Sequence, residues 1–166
     1  MRFIAINKDN YNSTAAIYKE GLDSEIASFE TKVPNFELWN AKHLAFGRIA
    51  LKKEGTILGW ASLSPVSSRE VYKGLAEVSI YIAKEARGSG LGKILLNKLI
   101  VLSEENGIWT LQSSIFRANE ASISIHRSCG FRIVGFKEKV AQRNGVWHDN
   151  ILLERRSKKV QYPKES

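Results

Sequence analysis

The sequence has a single cysteine and only three prolines in 166 residues, and it contains no run of about eighteen apolar residues. One cysteine excludes a disulfide-stapled scaffold. The few prolines, with 12 glycines and 43% hydrophobic residues, exclude collagenous, disordered and low-complexity chains. No membrane-spanning helix is expected, and the opening MRFIAINKDN is too short and too polar for a signal peptide, so a cytoplasmic protein is the expectation. Acid is the scarcer charge: 17 Asp and Glu face 25 Lys and Arg, and the net +8 points to an anionic partner. Half of that charge sits in residues 155–166 (RRSKKVQYPKES), and no Lys/Arg run precedes them. A basic stripe interleaved with aromatics is also missing, so nucleic acid is not expected as a partner. The remaining +4 suits a domain holding one polyanionic cofactor. His43, His126 and His148 have no metal-ligand spacing and no cysteine partner, so no metal is expected.

What is present is an alternation of strand and helix patterns. Residues 2–6 read as a strand, followed by a helix from about Asn10 with Tyr11, Ala15, Tyr18 and Leu22 at helical spacing. A second helical pattern (Phe36, Trp39, Leu44) runs toward Gly47. Strands 48–53 and 56–65 flank Glu54-Gly55 as a hairpin, and 75–84 is a further strand. Leu91, Leu95, Leu99 and Leu102 form one helical stripe over 91–105, and 108–116 is strand-like. Asn119 suits the N-cap of a helix that runs to Cys129 and stops at Gly130. Phe131 onward returns to strand, and Asn144-Gly145 is a strong hairpin signal. With no repeat and no linker, the expectation is one mixed α/β domain over 1–155 and a flexible basic tail over 156–166.

Between the strand at 75–84 and the helix from 91 lies Arg87-Gly88-Ser89-Gly90-Leu91-Gly92. A glycine loop entering a helix lets backbone N–H groups and the helix dipole converge on phosphate oxygens, although a plain Gly-rich connector is the bland alternative. A Walker loop is excluded because Ile94 follows Gly92-Lys93 where Ser or Thr is required. A dinucleotide fingerprint fails too: position 93 is Lys, and residues 107–118 contain no acid.

The surviving pattern, Arg-x-x-Gly-x-Gly, resembles the GNAT superfamily of acetyl-coenzyme A dependent N-acetyltransferases. A second element, Asn119-Glu120-Ala121-Ser122 through His126 to Gly130-Phe131, is similar to that family's Asn-x-x-Ala/Ser helix. Within it, Phe29-Glu30-Thr31 before a proline, Trp39, Arg132 to Gly135 and Gly145-x-Trp147-x-Asp149 resemble the phosphinothricin/methionine sulfoximine acetyltransferase branch. The resemblance implies a GNAT fold: a twisted, mostly antiparallel mixed sheet with helices on both faces and central strands that splay to admit acetyl-coenzyme A. It implies acetyl transfer, by direct attack, to the primary amine of a small amino-acid-like molecule, in a homodimer. Other readings are acetylation of a protein or peptide amine, and a coenzyme-A-binding module without turnover.

Alternation places Glu77, Ser79 and Tyr81 on one strand face, and a polar face in a central strand is costly unless it lines something. Glu77 is the candidate base for the substrate ammonium, because only a free amine attacks a thioester; a solvated edge acid is the alternative. On the later helix Asn119, Ser122 and His126 share a face, whereas Cys129 lies on the apolar face as a small buried hydrophobe. The resemblance implies that Asn119 and Ser122 meet coenzyme A, and that His126 stands where relatives carry a tyrosine that protonates the departing thiolate. It also implies main-chain contacts from Ile80, Tyr81 and Ile82, and coenzyme contacts along Arg87, Gly88, Ser89, Gly90, Leu91, Gly92 and Lys93; Lys84, Arg87, Lys93 and Arg117 are candidate cations for its phosphates, with solvated surface charge as the alternative for each. Glu30, Ser67, Ser68, Arg69, Ser79 and Trp147 are the expected acceptor-binding residues, with Arg69 as the candidate carboxylate clamp.

Overall fold

The computed structural model of the chain describes residues 1–164. Its elements run β1 (Arg2–Ala5), α1 (Tyr11–Asp23), α2 (Phe36–Lys42), β2 (Ile49–Lys53), β3 (Thr56–Pro65), β4 (Leu75–Ile82), α3 (Leu91–Glu105), β5 (Thr110–Phe116), α4 (Glu120–Ser128), β6 (Arg132–Arg143) and β7 (Val146–Arg156). The seven strands form one sheet in the order β1-β2-β3-β4-β5-β7-β6, antiparallel everywhere except between β4 and β5.

Turn chemistry sets the hairpins. Glu54-Gly55 joins β2 to β3 and Asn144-Gly145 joins β6 to β7, and all four residues have positive φ, as a two-residue turn matching the strand twist requires. Alternation then fixes the faces. Ile49, Leu51, Ala61, Leu63, Ala76 and Val78 turn toward α3, whose Leu95, Leu96 and Leu99 are fully buried; each such leucine contributes about 1.5–3 kcal/mol. Ala50, Trp60 and Tyr81 face the other way, onto Tyr11 and Ile17 of α1 and Trp39 of α2. Cys129 is buried in the α3 core.

Two expectations need correction. The second helix stops at Lys42 rather than near Gly47, because Arg48 supplies donors where helix bonds would have been: its guanidinium group donates to the carbonyls of Leu44 (2.7 Å) and His43 (2.9 Å). The segment read as a flexible tail is docked over much of its length. Arg156 donates to the carbonyls of Trp109, Ser157 and Val160, Ser157 donates to Glu104, and Tyr162 packs on Trp109 with ring centroids 5.1 Å apart. Glu165 and Ser166, the end of that predicted tail, lie outside the described residues. Among the described residues no helix is long and apolar enough to cross a membrane.

Candidate active site

The site starts from a failure of pairing. β4 and β5 are registered only over Leu75↔Thr110, Ala76↔Leu111 and Glu77↔Gln112, after which β4 stays with β3 to Ile82 while β5 follows β7 to Phe116. The β5-facing main-chain groups of residues 78–82 therefore have no strand partner, and unpaired backbone polar groups inside a sheet call for a ligand or water. The gap opens into two cavities of about 340 and 540 Å³ that share Ala27, Ile80, Tyr81, Asn119 and Ser122.

The larger cavity is the anion side. It is lined by Ile80, Tyr81, Ile82, Arg87, Gly88, Gly90, Leu91, Gly92 and Lys93, with Asn119 and Ser122 opposite. Gly88 and Gly90 have φ of +75° and +81°, and a Cβ on either meets nothing within 4 Å, so the loop leaves the main chain open to a ligand. Gly90 is the N-cap of α3 without a side-chain cap, and the first bond into the helix runs from the Ile94 N–H to the Gly90 carbonyl. The N–H groups of Leu91, Gly92 and Lys93 thus point out of the first turn, the arrangement that binds phosphate. Gly92 lets α4 close in, since a Cβ there comes within 2.7 Å of Ile125. Asn119 is spent locally as well: its Oδ1 accepts from the Ser122 N–H (3.2 Å) and caps α4. These features fit a pyrophosphate-bearing coenzyme with an extended amide arm alongside β4.

The smaller cavity is the acidic side. Glu77 and Ser79 line it together with Ser28 and Glu30 of the loop after α1 and with Ser114 and Asn150 from β5 and β7. Burial raises the Glu77 carboxyl above the ordinary carboxylate range, against a hydrogen bond from Gln112 and the charge of Lys137. A carboxylate made more basic and facing a cavity is suited to accept a proton near neutral pH. A third cavity of about 470 Å³ continues past Ser28, Glu30, Glu77, Ser79 and Tyr81 toward Trp39 and Trp60.

His126 departs from its expected part. It is 1% exposed, and its Nδ1 lies 2.8 Å from the Ser122 carbonyl, which can only accept, so Nδ1 carries the proton. Nε2 is buried without a partner among the described residues, and burial lowers the ring's pKa against that hydrogen bond. With the proton on Nδ1, the neutral imidazole carries none on Nε2.

Of the residues singled out in the sequence, the cleft gathers Glu77, His126, Glu30, Ser79 and the anion-side set except Ser89, whose hydroxyl donates to the Ala86 carbonyl. It does not gather Ser67, Ser68, Arg69 or Trp147. Arg69 sits over the Tyr72 ring (5.5 Å), Trp147 is 55% exposed on the β6–β7 hairpin, and Arg117 pairs with Asp149 (3.7 Å). Ser114, Asn150, Lys32 and Lys42 also line the cleft, and Gln112 hydrogen-bonds Glu77, although the sequence reading singles out none of them. The alternation that marked Glu77 also runs through Gln112-x-Ser114, but nothing local marks the lysines.

Residues 12–131 match the acetyltransferase (GNAT) family. An L-methionine sulfoximine/L-methionine sulfone acetyltransferase of Pseudomonas aeruginosa is 33% identical over 154 residues, which cover 91% of this chain and 85% of that protein. Among solved structures, a phosphinothricin acetyltransferase from Sinorhizobium meliloti in complex with AcCoA superimposes with a TM-score of 0.87 at 26% identity, covering 99% of this chain and 92% of that one. A ribosomal-protein-alanine N-acetyltransferase from Brucella melitensis gives 0.87 at 28% identity, covering 95% and 100%. The splayed sheet, the open glycine loop at the start of α3 and these similarities agree: the chain belongs to the GNAT family, and it is an N-acetyltransferase with acetyl-coenzyme A as its acyl donor.

Proposed function

We propose that the protein acetylates the primary amine of a small amino-acid-like molecule, with Glu77 as the base. The observation that carries this reading is Glu77, a half-buried carboxyl of raised pKa, lining the smaller cavity, which meets the anion-side cavity at Ile80, Tyr81, Asn119 and Ser122. Bound acetyl-coenzyme A supplies an acetyl group activated as a thioester. The acceptor enters on the α1/α2 side, and its ammonium meets the Glu77 carboxylate, which takes one proton and leaves a nitrogen lone pair directed at the splay. An α-ammonium of pKa about 8 needs only modest help near neutral pH. The free main-chain edge of residues 78–82 is available to hydrogen-bond the reacting carbonyl. The nitrogen bonds to the acetyl carbon as the C–S bond breaks; the sulfur of a thiol of pKa about 8.5 leaves as its thiolate without a proton from His126, and the surplus proton on nitrogen passes to that thiolate or to water.

The small-acceptor reading is supported by the names of the Pseudomonas and Sinorhizobium relatives and by the enclosure of the acceptor side behind the loop after α1. The Brucella relative's name supports a second reading, a peptide N-terminal amine. Homodimeric assembly and a cytoplasmic location accompany the proposal from the family resemblance, and light scattering of the purified protein tests the first. Thiol release from acetyl-coenzyme A, followed over L-methionine sulfoximine, L-methionine sulfone, phosphinothricin, the common amino acids and an alanine-terminated peptide, tests the substrate. Release with a small α-amino acid is expected. Release with the peptide alone favours the second reading, and silence throughout favours a binding module.

A further inference from the structure

The cavity beyond Glu77 is sorted by charge. Its two acids, Glu30 and Glu77, are shared with the compartment at the strand gap, whereas Lys32, Lys42, Trp39 and Trp60 belong to the far end alone. Neither lysine takes part in an ion pair among the described residues. The two tryptophans are 1% and 2% exposed with ring centroids 5.9 Å apart, and the indole N–H of each is buried without an acceptor among the described residues. A buried donor without a partner is rare in a folded protein, so each calls for an acceptor from outside the chain. His43 adds no charge there: burial lowers its pKa, and its Nδ1 is taken by the Trp39 carbonyl. Arg69, the clamp expected from the sequence, is absent from every cavity of the cleft.

Building on the acceptor reading above, we infer that this far end is an oxyanion subsite. Lys32 and Lys42 neutralise an oxygen-bearing end of the acceptor, and the indole N–H groups of Trp39 and Trp60 hydrogen-bond to it, while the acceptor's ammonium lies at Glu77. The group held is the α-carboxylate or the oxygens of a sulfone-like side chain, and both present the same chemistry to the subsite. Acids at one end and cations with free donors at the other match a zwitterion laid along the cleft.

Nitrogen-15 spectra of the full chain test this, because four tryptophans give four indole signals and Trp109 and Trp147 line no part of the cleft. The probes are L-methionine sulfone, its α-carboxamide and L-methionine. L-methionine sulfone is expected to move the Trp39 and Trp60 signals, leave the other two, and bind about tenfold more weakly to Lys32→Ala/Lys42→Ala but equally to Arg69→Ala. If the carboxamide alone loses that tenfold, the carboxylate occupies the subsite; if L-methionine alone loses it, the sulfone does. Unmoved Trp39 and Trp60 signals, absence of binding, wild-type affinity in the double lysine variant, or loss in Arg69→Ala instead overturns the subsite. Acetyl transfer with unmoved indoles sinks the subsite and spares the function; indole shifts without acetyl transfer do the reverse.

Discussion

Replacing His126 by Gln separates a neutral, structural imidazole from an acid catalyst. In the folded chain burial lowers the pKa of His126, and its proton stays on Nδ1 against the Ser122 carbonyl; in the unfolded chain the ring titrates near its ordinary pKa of about 6.5. As pH falls through that value, the unfolded state gains a proton that the folded state refuses, so stability falls with falling pH. For a ring that stays neutral when folded, lowering the pH from 7.5 to 5.5 costs at most about 1.4 kcal/mol, the worth of one pKa unit. His43, also of lowered pKa, adds a loss of the same sign, but it is present in both proteins and cancels in the comparison. Urea unfolding at the two pH values should show the variant losing less stability than the wild type, by up to about 1.4 kcal/mol. Its turnover should fall less than about tenfold, whereas loss of a true general acid costs about 10²–10⁴. Equal pH sensitivity together with a hundredfold loss of turnover would refute the assignment and restore His126 as the acid.

Glu77→Gln should lower turnover most at the acidic end of the rate-against-pH profile, where free amine is scarce, and Gln112→Ala should move the acidic limb of the otherwise unchanged protein to higher pH, because Gln112 holds the Glu77 pKa down; stopped-flow thiol release reads both. Gly90→Glu should fold, since the position faces open space, at a cost of about 1–2 kcal/mol for its positive φ. Its affinity for acetyl-coenzyme A by calorimetry should drop more than about a hundredfold, through charge repulsion and obstruction of the N–H groups. Ending the chain after Arg156 should cost about 1–3 kcal/mol in urea unfolding and leave turnover unchanged. Burial would raise the Glu104 carboxyl, but hydrogen bonds from Ser157 and Arg155 outweigh it and hold it below the ordinary range, so the truncated protein should also lose less stability on acidification.

Features legible in the sequence are those decided within a few residues. Asn144-Gly145 and Glu54-Gly55 turn because their neighbours alternate and their backbones accept positive φ, and Asn119 caps α4 with an oxygen three residues from its donor. The glycine loop was legible for the same reason. What stayed hidden depends on residues far apart in sequence. Arg48 ends α2 by reaching back to carbonyls that only the fold presents, and Ser157 and Tyr162 dock on Glu104 and Trp109 about fifty residues away. Lys32 and Lys42 sit in polar stretches where lysine carries no pattern, and only the packing of α2 against β3 brings them to the cleft. The sequence sets His126 on one face of α4 with Asn119 and Ser122, but its burial and the Ser122 contact arise only when α4 packs.

The central claim is that a carboxylate at the strand gap frees an amino-acid-like amine for acetyl transfer. Its most direct measurement is mass spectrometry of the product formed from acetyl-coenzyme A and L-methionine sulfone by the wild type and by Glu77→Gln across pH 6 to 9. An α-N-acetylated product is expected, formed by the variant at a rate that approaches the wild type only at the alkaline end, where the free amine no longer depends on a base. Absence of the product from the wild type, or superimposable pH profiles for the two proteins, would contradict it.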